Sequence, residues 1–399
     1  VACRGVVFTM QIIFIITHPI QYQAPLYRYL AAQGLAMQVW FCSQTPGLGG
    51  HDAEFGQTIA WDIPLTEGYP HRFFENKGKT TGTKRGFWAY ANPDMVVALK
   101  AEPKSLVIVH GWSYATYVTL LRYGRRLGHV VAFRGEVNAA MEARLPRLKR
   151  WLPRQYHRWV LAHVSWFLYI GKQSQAFYQQ LGVPAEQMAF TPYAVDNQRF
   201  SETLAQLGRQ GARQQLGLAE EGFYWLWVGK YIAKKCPLEM LEAFARINQP
   251  QARLIMVGEG PLRPQMEAAI TRLHLGQRVQ LTGFVNQQQI PLYYTAAHAY
   301  VMNSTWGETW GLAVNEAMAA ALPVIVSDRC GCAADLVLQG NNGTVSQAQN
   351  IASLAQAMQQ MADMPADRLA AMGQASLDII EGYHFKPIYK TLAAISGQH

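Results

Sequence analysis

The stretch from residue 303 to residue 328 reads Asn-Ser-Thr-Trp-Gly-Glu-Thr-Trp-Gly-Leu-Ala-Val-Asn-Glu-Ala-Met-Ala-Ala-Ala-Leu-Pro-Val-Ile-Val-Ser-Asp. An apolar run that predicts a buried strand precedes it, and a polar loop with two glycines opens it. Residues 312–321 are rich in Ala, Met and Glu and predict a helix. Pro323 disfavours helix at the residue before it, so residues 324–326 predict the next strand. The stretch therefore predicts one strand–loop–helix–strand unit of a parallel sheet.

The loop of this unit predicts an anion site at the start of the helix. Free N–H groups and the positive end of the helix dipole would face the crevice at the carboxyl end of the strand. Gly311 has no side chain, so a phosphate could approach the backbone closely there. Glu308 and Glu316 flank this site, and they can accept hydrogen bonds from hydroxyls but not bind phosphate, because like charges repel. N–H groups that bind phosphate, placed between two carboxylates that bind hydroxyls, suit a ligand in which a diphosphate joins a sugar to a ribose.

The same residues resemble the signature of a known family. Seven residues separate Glu308 from Glu316, and the block between and around them contains Trp310-Gly311-Leu312 and Glu-Ala-Met. This block resembles the signature of the retaining GT-B glycosyltransferases of family 4, the glycosyl transferases group 1. The alternative is an Ala-rich core helix with two solvated glutamates. The loop, the Gly-Leu pair and the following Leu-Pro-Val favour the functional interpretation.

The order of the predicted elements indicates an α/β fold. A buried strand over 11–17, a helix over 26–33 and a strand over 36–42 alternate, and the same rhythm continues along the chain. This alternation is typical of a doubly wound parallel sheet. The resemblance implies the GT-B form of this class, in which two Rossmann-like doubly wound parallel-sheet domains face a cleft.

The chain is long enough for more than one domain. Its 399 residues include a polar stretch, 201–222, rich in Gln and Gly, that we interpret as a linker. We therefore predict an N-terminal acceptor-binding domain over 1–205 and a C-terminal nucleotide-sugar donor-binding domain over 206–380. The tail, 381–399, is expected to cross back to the first domain.

Composition limits the partners. The chain carries a net charge of +9, which favours nucleotides, acidic glycans, phospholipid surfaces or nucleic acid. No nucleic-acid recognition motif is present, so nucleic acid is not a predicted partner. The five cysteines have no paired zinc spacing, and we expect free thiols in a reducing cytoplasm and no metal site.

Polar residues follow the predicted strands of the N-terminal half. His18 and Gln21 come after the first strand, His110 comes after a later one, and Arg134 and Glu136 come after the next. Ligands in such folds bind at the carboxyl ends of the strands, so we expect these side chains to converge on one crevice. For His110, a core histidine satisfied by backbone groups is the alternative.

The resemblance implies roles for residues of the C-terminal half. Family members bind the donor diphosphate with a basic residue after the first strand of this domain and a lysine five residues later, which here are Lys230 and Lys235. Two cations beside a helix N-terminus neutralise a diphosphate without a metal, so no cofactor is expected; two solvated lysines are the alternative. The predicted donor-binding residues are Lys230, Lys235, Gly258, Trp310, Gly311, Leu312 and Glu316.

The resemblance also implies that Glu308 contacts the hydroxyls of the transferred sugar, while Glu316 contacts those of the ribose. Many members have a histidine at the strand end where this chain has Arg134, so the usual catalytic histidine cannot be carried over. Either Arg134 makes that contact or His110 reaches in, and Glu308, His110 and Arg134 are the catalytic candidates. His18, Gln21 and Glu136 are assigned to the acceptor side, where His-Pro-Ile-Gln-Tyr replaces the common Gly-Gly loop.

A basic and aromatic segment indicates a further partner. Residues 141–159 contain six basic residues and one acidic residue, with aromatic side chains between them. Such a surface suits an anionic membrane face, which would place the protein in the cytoplasm, peripherally at the inner face of the cell membrane. An ordinary solvated basic face, or one that contacts a charged acceptor, is the alternative.

The sequence thus predicts a retaining, metal-independent glycosyltransferase of the hexosyltransferase type. It would move a sugar from a UDP- or GDP-sugar to a hydroxyl acceptor, in polysaccharide or lipid-linked glycan biosynthesis. A non-hydrolysing nucleotide-sugar epimerase on the same architecture and a nucleotide-sugar binding protein without turnover are the rival interpretations. The identities of the sugar, the base and the acceptor stay open.

Overall fold

The structure, a computed structural model, describes residues 10–44, 50–52, 57–79, 86–137, 151–305 and 307–397. These residues divide into two compact units. Unit 1 comprises the described residues within 1–50, 64–192 and 385–399, and unit 2 comprises those within 51–63 and 193–384. The division lies at 192/193 rather than at the predicted 205/206, which falls inside a helix.

Unit 1 is built on a seven-stranded sheet in which every strand pair is parallel. The first nine strands of the chain are β1 (Ile12–Ile16), β2 (Met37–Phe41), β3 (Gly50–Asp52), β4 (Gln57–Ile59), β5 (His71–Phe73), β6 (Leu106–Val109), β7 (Val130–Phe133), β8 (Trp166–Tyr169) and β9 (Met188–Phe190). The order in the sheet is β5-β2-β1-β6-β7-β8-β9, while β3 and β4 pair with each other. Strands β1, β6 and β7 are buried along their whole length, as a parallel sheet covered on both faces requires.

Helices flank this sheet. In unit 1 they are α1 (Ala24–Ala32), α2 (Pro93–Ala101), α3 (Ala115–Tyr123), α4 (Trp151–Leu161), α5 (Lys172–Gln180) and, from the end of the chain, α14 (Phe385–Gly397). A 3₁₀ turn, Gly124–Leu127, follows α3 directly. None of the described helices is both long and apolar enough to cross a bilayer.

Unit 2 repeats the plan with a six-stranded parallel sheet. Its strands are β10 (Phe223–Val228), β11 (Ala252–Val257), β12 (Val279–Gly283), β13 (Ala299–Met302), β14 (Val324–Ser327) and β15 (Gly343–Ser346). Its helices are α6 (Asn197–Gln215), α7 (Pro237–Phe244), α8 (Arg263–Arg272), α9 (Ile290–Ala296), α10 (Leu312–Ala319), α11 (Ala333–Leu336), α12 (Ile351–Ala362) and α13 (Ala366–Ile380).

The strand order places a crevice in each unit. The order of unit 2 is β12-β11-β10-β13-β14-β15, so the direction of winding reverses between β10 and β13. In unit 1 it reverses between β1 and β6. Ligands of doubly wound sheets bind outside the carboxyl ends of the strands at such a switch point. The two parallel sheets confirm the predicted fold class.

The predicted linker at 201–222 is wrong for most of its length, because α6 occupies it up to Gln215. Gly208, at φ 62°, interrupts this helix. Arg209 anchors the helix by donating hydrogen bonds to the backbone oxygens of Thr295, Ala297 and Ala321. The polar residues that suggested a linker belong to the solvated side of an amphipathic helix.

Candidate functional site

The loops that follow β10 and β13 are tied together at the switch point of unit 2. The Trp227 indole on β10 donates to Asn303 Oδ1 at 2.9 Å, and Asn303 Nδ2 donates to the backbone oxygen of Cys236 at 2.8 Å. The Thr305 N–H donates to the oxygen of Lys234 at 2.9 Å. The loop that carries the predicted lysines is therefore positioned by residues directly after β13. Asn303 was not a predicted site residue; its position at a strand end is the signal that could have identified it.

Lys235 and Glu308 form an ion pair. Their side chains are only 16% and 14% exposed, so the two charges interact in a poorly solvated environment. The sequence assigned Lys235 to a diphosphate and Glu308 to sugar hydroxyls, and it did not predict that they pair. Lys230, half-buried, lies directly after Gly229 at the end of β10. The predicted cations and one predicted carboxylate thus lie at the carboxyl edge of this sheet.

The loop of Glu308 lies against the segment after β14. The Gly331 N–H donates to the oxygen of Glu308, and the Cys332 N–H donates to the oxygen of Trp310, both at 3.1 Å. A Cβ atom at Gly331 would lie 1.9 Å from the backbone oxygen of Thr309. Only glycine therefore allows this contact, which the sequence analysis missed.

Gly311 precedes the first turn of α10 in a left-handed conformation, at φ 106°. A Cβ atom there would lie 2.6 Å from Met302 Sδ, so the position needs glycine for space as well as for conformation. The helix begins at Leu312, and the Val314 N–H donates to the oxygen of Gly311 at 2.9 Å. The N–H groups of Leu312 and Ala313 come before the first intrahelical hydrogen bond. The helix ends at Ala319, two residues before the predicted end.

Glu316 lies on α10 and is held by a tyrosine. The Tyr294 hydroxyl donates to Glu316 Oε2 at 2.6 Å. Burial raises the pKa of Glu316, and the hydrogen bond from Tyr294 and the charge of Arg199 oppose that rise. On β13, burial raises the pKa of Tyr300, and the carboxylates of Glu316 and Glu308 raise it further. Both predicted carboxylates therefore lie close enough to Tyr300 on β13 to raise its pKa.

Trp310, one of the predicted donor-binding residues, has a buried side chain. Its side chain is 3% exposed, and its indole N–H donates to Asn315 Oδ1 at 2.8 Å. The ring packs near the rings of Tyr193 and Tyr383, with centroid distances of 6.0 and 5.8 Å. The indole is therefore a packing group that supports the loop, and the assignment of Trp310 to the donor stays a prediction.

Gly258 allows two loops to approach each other. Its φ is 146°, and a Cβ atom there would lie 1.9 Å from the backbone oxygen of Gly229. The Tyr231 N–H donates to the oxygen of Glu259 at 2.9 Å. The loop of Lys230 is thus held against the turn after β11. The absence of a side chain at Gly258 makes this close approach of the two backbones possible.

In unit 1, His110 is part of a hydrogen-bonded chain. The Tyr27 hydroxyl donates to Gln23 Oε1 at 3.2 Å, and Gln23 Nε2 lies 3.5 Å from His110 Nδ1. The bond from Tyr27 orients the amide of Gln23 so that its nitrogen faces Nδ1 of His110. Burial lowers the pKa of His110, and the charge of Arg134 lowers it further. Neither Gln23 nor Tyr27 was predicted, although their spacing of four residues places them on one face of α1.

The other predicted residues of unit 1 lie at the same carboxyl edge. Arg134 Nη2 donates to the oxygen of Pro192 at 3.4 Å. Glu136 Oε1 accepts a long hydrogen bond of 3.5 Å from the hydroxyl of Tyr22, which the sequence analysis also did not assign. Thr17 Oγ1 and His18 Nδ1 are 2.9 Å apart, after β1. Gln21 lies in the turn before α1. Of the predicted membrane segment 141–159, residues 141–150 lie outside the described residues.

Two protein families match these two units. The family described as Glycosyl transferase 4-like domain matches residues 19–194, and Glycosyl transferases group 1 matches residues 208–377. The chain belongs to the group 1 glycosyltransferases of the GT-B fold. This confirms the family that the Glu308–Glu316 block resembled.

Solved structures and curated proteins agree with this membership. The structure of HepE from Anabaena in complex with UDP and glucose has a TM-score of 0.71 and 18% identity, and the match covers 97% of this chain and 99% of that one. The 2-deoxystreptamine glucosyltransferase of Streptomyces kanamyceticus is 30% identical over 196 residues, 48% of this chain and 50% of that protein. The alpha-monoglucosyldiacylglycerol synthase of Acholeplasma laidlawii is 31% identical over 119 residues, 29% of this chain and 30% of that protein. The chain spans about half or less of the length of the curated relatives it matches.

This group 1 glycosyltransferase therefore presents a compact set of charges in unit 2. Lys230, Lys235 and the N-terminus of α10 supply positive potential, while Glu308 and Glu316 supply hydrogen-bond acceptors. The arrangement suits a ligand that carries both negative charge and hydroxyl groups. In the part of the chain described by the structure, no group of three metal-ligating side chains occurs.

Proposed function

We propose that this glycosyltransferase transfers a sugar from a nucleoside diphosphate sugar, a UDP- or GDP-sugar, to a hydroxyl acceptor with retention of the anomeric configuration. The ion pair between Lys235 and Glu308, beside the first turn of α10, carries this proposal. In this pair, a cation that can bind a phosphate contacts a carboxylate that can accept a hydrogen bond from a sugar hydroxyl. When the donor binds, its phosphate pairs with the ammonium group of Lys235, and its sugar hydroxyls donate hydrogen bonds to the carboxylate of Glu308.

The proposed reaction is a front-face displacement. The bond between the anomeric carbon and the diphosphate oxygen breaks, and the acceptor oxygen bonds to the same face of that carbon. The acceptor proton passes to the departing phosphate oxygen, so atoms and charge balance without a further base. Lys230, Lys235 and the free N–H groups of α10 stabilise the negative charge that develops on the diphosphate. The proposal requires no metal ion or other cofactor.

His110 fits this scheme as a hydrogen-bond donor. Its Nδ1 faces the amide of Gln23, and its lowered pKa keeps the ring neutral at physiological pH. Nε2 is buried and makes no hydrogen bond within the described residues. A neutral imidazole with its proton on Nε2 can donate to a sugar hydroxyl but cannot remove a proton through that nitrogen.

We further propose that the acceptor is a glycan or a lipid-linked glycan, in polysaccharide or lipid-linked glycan biosynthesis at the inner face of the cell membrane. The similarity to the alpha-monoglucosyldiacylglycerol synthase of Acholeplasma laidlawii, whose named product is a glycosylated lipid, supports an acceptor that contains lipid. The net charge of +9 supports contact with an anionic surface.

A panel of UDP-, GDP- and ADP-sugars, incubated with the protein in EDTA, tests the proposal. We expect slow hydrolysis of one donor with release of the nucleoside diphosphate, and NMR of the first sugar formed should show the anomer of the donor. Release of an epimer would instead establish the epimerase, and tight binding without turnover would establish a binding protein. Loss of turnover in EDTA that Mg²⁺ restores would refute the metal-independent mechanism.

A further inference from the structure

A basic and aromatic surface lies on unit 1, apart from the predicted catalytic and acceptor-side residues of that unit. It includes Tyr156 and Trp159 of the predicted membrane segment 141–159. It is formed by α3, the 3₁₀ turn Gly124–Leu127 and α4, and we refer to it as the docking face. Trp159, Tyr123 and Tyr156 are 52%, 49% and 38% exposed there. Large aromatic side chains at this exposure, grouped on one surface, mark a site of interaction. The residues of the docking face are Arg122, Tyr123, Arg125, Arg126, Tyr156 and Trp159.

Arginines hold two of these aromatic rings. The guanidinium carbon of Arg122 lies 4.5 Å from the ring centroid of Trp159, and Arg122 Nη1 donates to the backbone oxygen of Trp159 at 2.8 Å. Arg126 lies 5.4 Å from the ring centroid of Tyr123. Each pair presents a positive charge and an aromatic ring together. This combination suits a boundary between an apolar phase and a negatively charged one.

The docking face carries charge of one sign. Residues 115–130 and 151–165 contain no Asp or Glu. At the edge of the face, burial lowers the pKa of His163, and the charges of Arg122, Arg126 and Arg125 lower it further. The mutual repulsion of these arginines is relieved by an anionic partner.

A cavity of about 410 Å³ opens beside this face. It is lined by Lys104, Arg125, Gly128, His129, Val130, Val164, Ser165 and Gln187. His129 cannot supply charge, because Nδ1 accepts the N–H of Ser105 and Nε2 lies 2.9 Å from the oxygen of Leu99. The cations of the cavity are thus Lys104 and Arg125, with Ser165 and Gln187 as hydrogen-bonding groups. This set suits one phosphate diester with a small polar headgroup.

The cavity cannot hold the reacting acceptor. Val130, Ser165 and Gln187 lie at the amino ends of β7, β8 and β9. His110 and Arg134 follow the carboxyl ends of β6 and β7, on the opposite edge of the same sheet. A ligand in the cavity therefore anchors the protein and takes no part in the transfer.

We propose that the docking face seats unit 1 on a bilayer that contains anionic phospholipid, with a lipid headgroup in the cavity and the aromatic side chains in the interfacial layer. This deepens the proposed function and rests on it only for the lipid-linked acceptor. The exposed aromatic residues favour a membrane over other polyanions, since a purely electrostatic partner gains little from them.

Co-sedimentation of the full chain with vesicles tests this proposal. We expect binding to vesicles of phosphatidylcholine with phosphatidylglycerol, weaker binding at higher salt, and no binding to phosphatidylcholine alone. The double variant Arg125→Gln/Arg126→Gln should lower the partition coefficient roughly 25-fold, at about fivefold per arginine. Trp159→Ala should lower it as well. The matched control removes two exposed arginines of unit 2, Arg246→Gln/Arg368→Gln, and should bind like the unaltered protein.

The proposal is overturned if the unaltered protein ignores anionic vesicles, or if both double variants bind equally. It also fails if Trp159→Ala has no effect while RNA competes fully with the vesicles, which would make the face a general polyanion site. Thermal melting of each variant establishes that it is folded. Vesicle binding needs no turnover and the hydrolysis of nucleotide sugars needs no vesicle, so each proposal can fail without the other.

Discussion

Replacement of Lys235 by methionine tests both the chemical and the structural role of the ion pair with Glu308. If Lys235 holds the departing diphosphate, its loss should lower the turnover rate by on the order of 10²–10³, as for one donor of an oxyanion hole. The same change leaves Glu308 without its partner, with only 14% of the side chain exposed. Removal of one member of a fully buried pair costs about 3 kcal/mol or more of unfolding free energy, so for this partly buried pair we expect a loss of up to about 3 kcal/mol.

The double variant Lys235→Met/Glu308→Gln distinguishes the two effects. It leaves no uncompensated charge, so we expect its unfolding free energy to return to within about 1 kcal/mol of the unaltered protein. Its turnover should stay low, because both the cation and the carboxylate are absent. Urea unfolding and donor hydrolysis measure the two quantities on the same samples.

Lys234→Met is the matched control. Lys234 is the preceding residue in the same turn, and its side chain is exposed. We expect normal stability and near-normal turnover. Full turnover of Lys235→Met would refute the assignment of this lysine to the diphosphate. If turnover also returned in the double variant, the pair would be structural only.

Three further changes test individual positions. Tyr294→Phe removes the hydroxyl that donates to Glu316, and UDP affinity measured by calorimetry should fall about tenfold, since hydrogen bonds to charged groups contribute about 1.5 kcal/mol or more. Gly258→Ala should cost at least about 2 kcal/mol in urea unfolding, because its φ is 146°, while Gly276→Ala, with open space around it, should be neutral. Burial and two nearby arginines lower the pKa of His298 to about 4, so between pH 6.5 and 4 the unfolded chain binds a proton that the folded chain does not. The unfolding free energy should therefore fall by about 3 kcal/mol across that range, and His298→Gln should lack this part of the loss.

The buried strands could be predicted from the sequence, whereas the three-residue strands and one polar helix could not. Strands β1, β2 and β14 agree to within one residue at each end with the predicted strands 11–17, 36–42 and 324–326, because apolar runs of this kind are typical of a parallel sheet. Strands β5 and β9 have three residues each, too few for any periodicity. Most of helix α6 was interpreted as a linker because the stretch is polar and rich in Gln and Gly, and its contacts in unit 2 identify it as a helix.

For the candidate site, the residue types and their positions after strands were legible in the sequence, since parallel strands bring their carboxyl ends to one edge. The partners of those residues were not. Lys235 and Glu308 are 73 residues apart, and Gln23 and His110 are 87 residues apart, so no local pattern relates them. The sequence by itself determined the doubly wound fold class, the family, and the choice of two glutamates and two lysines as candidate site residues. The tertiary structure decided which charges neutralise each other, that the Trp310 indole is buried, and that arginines and aromatic rings of α3 and α4 share one surface, because such contacts depend on the packing of distant segments.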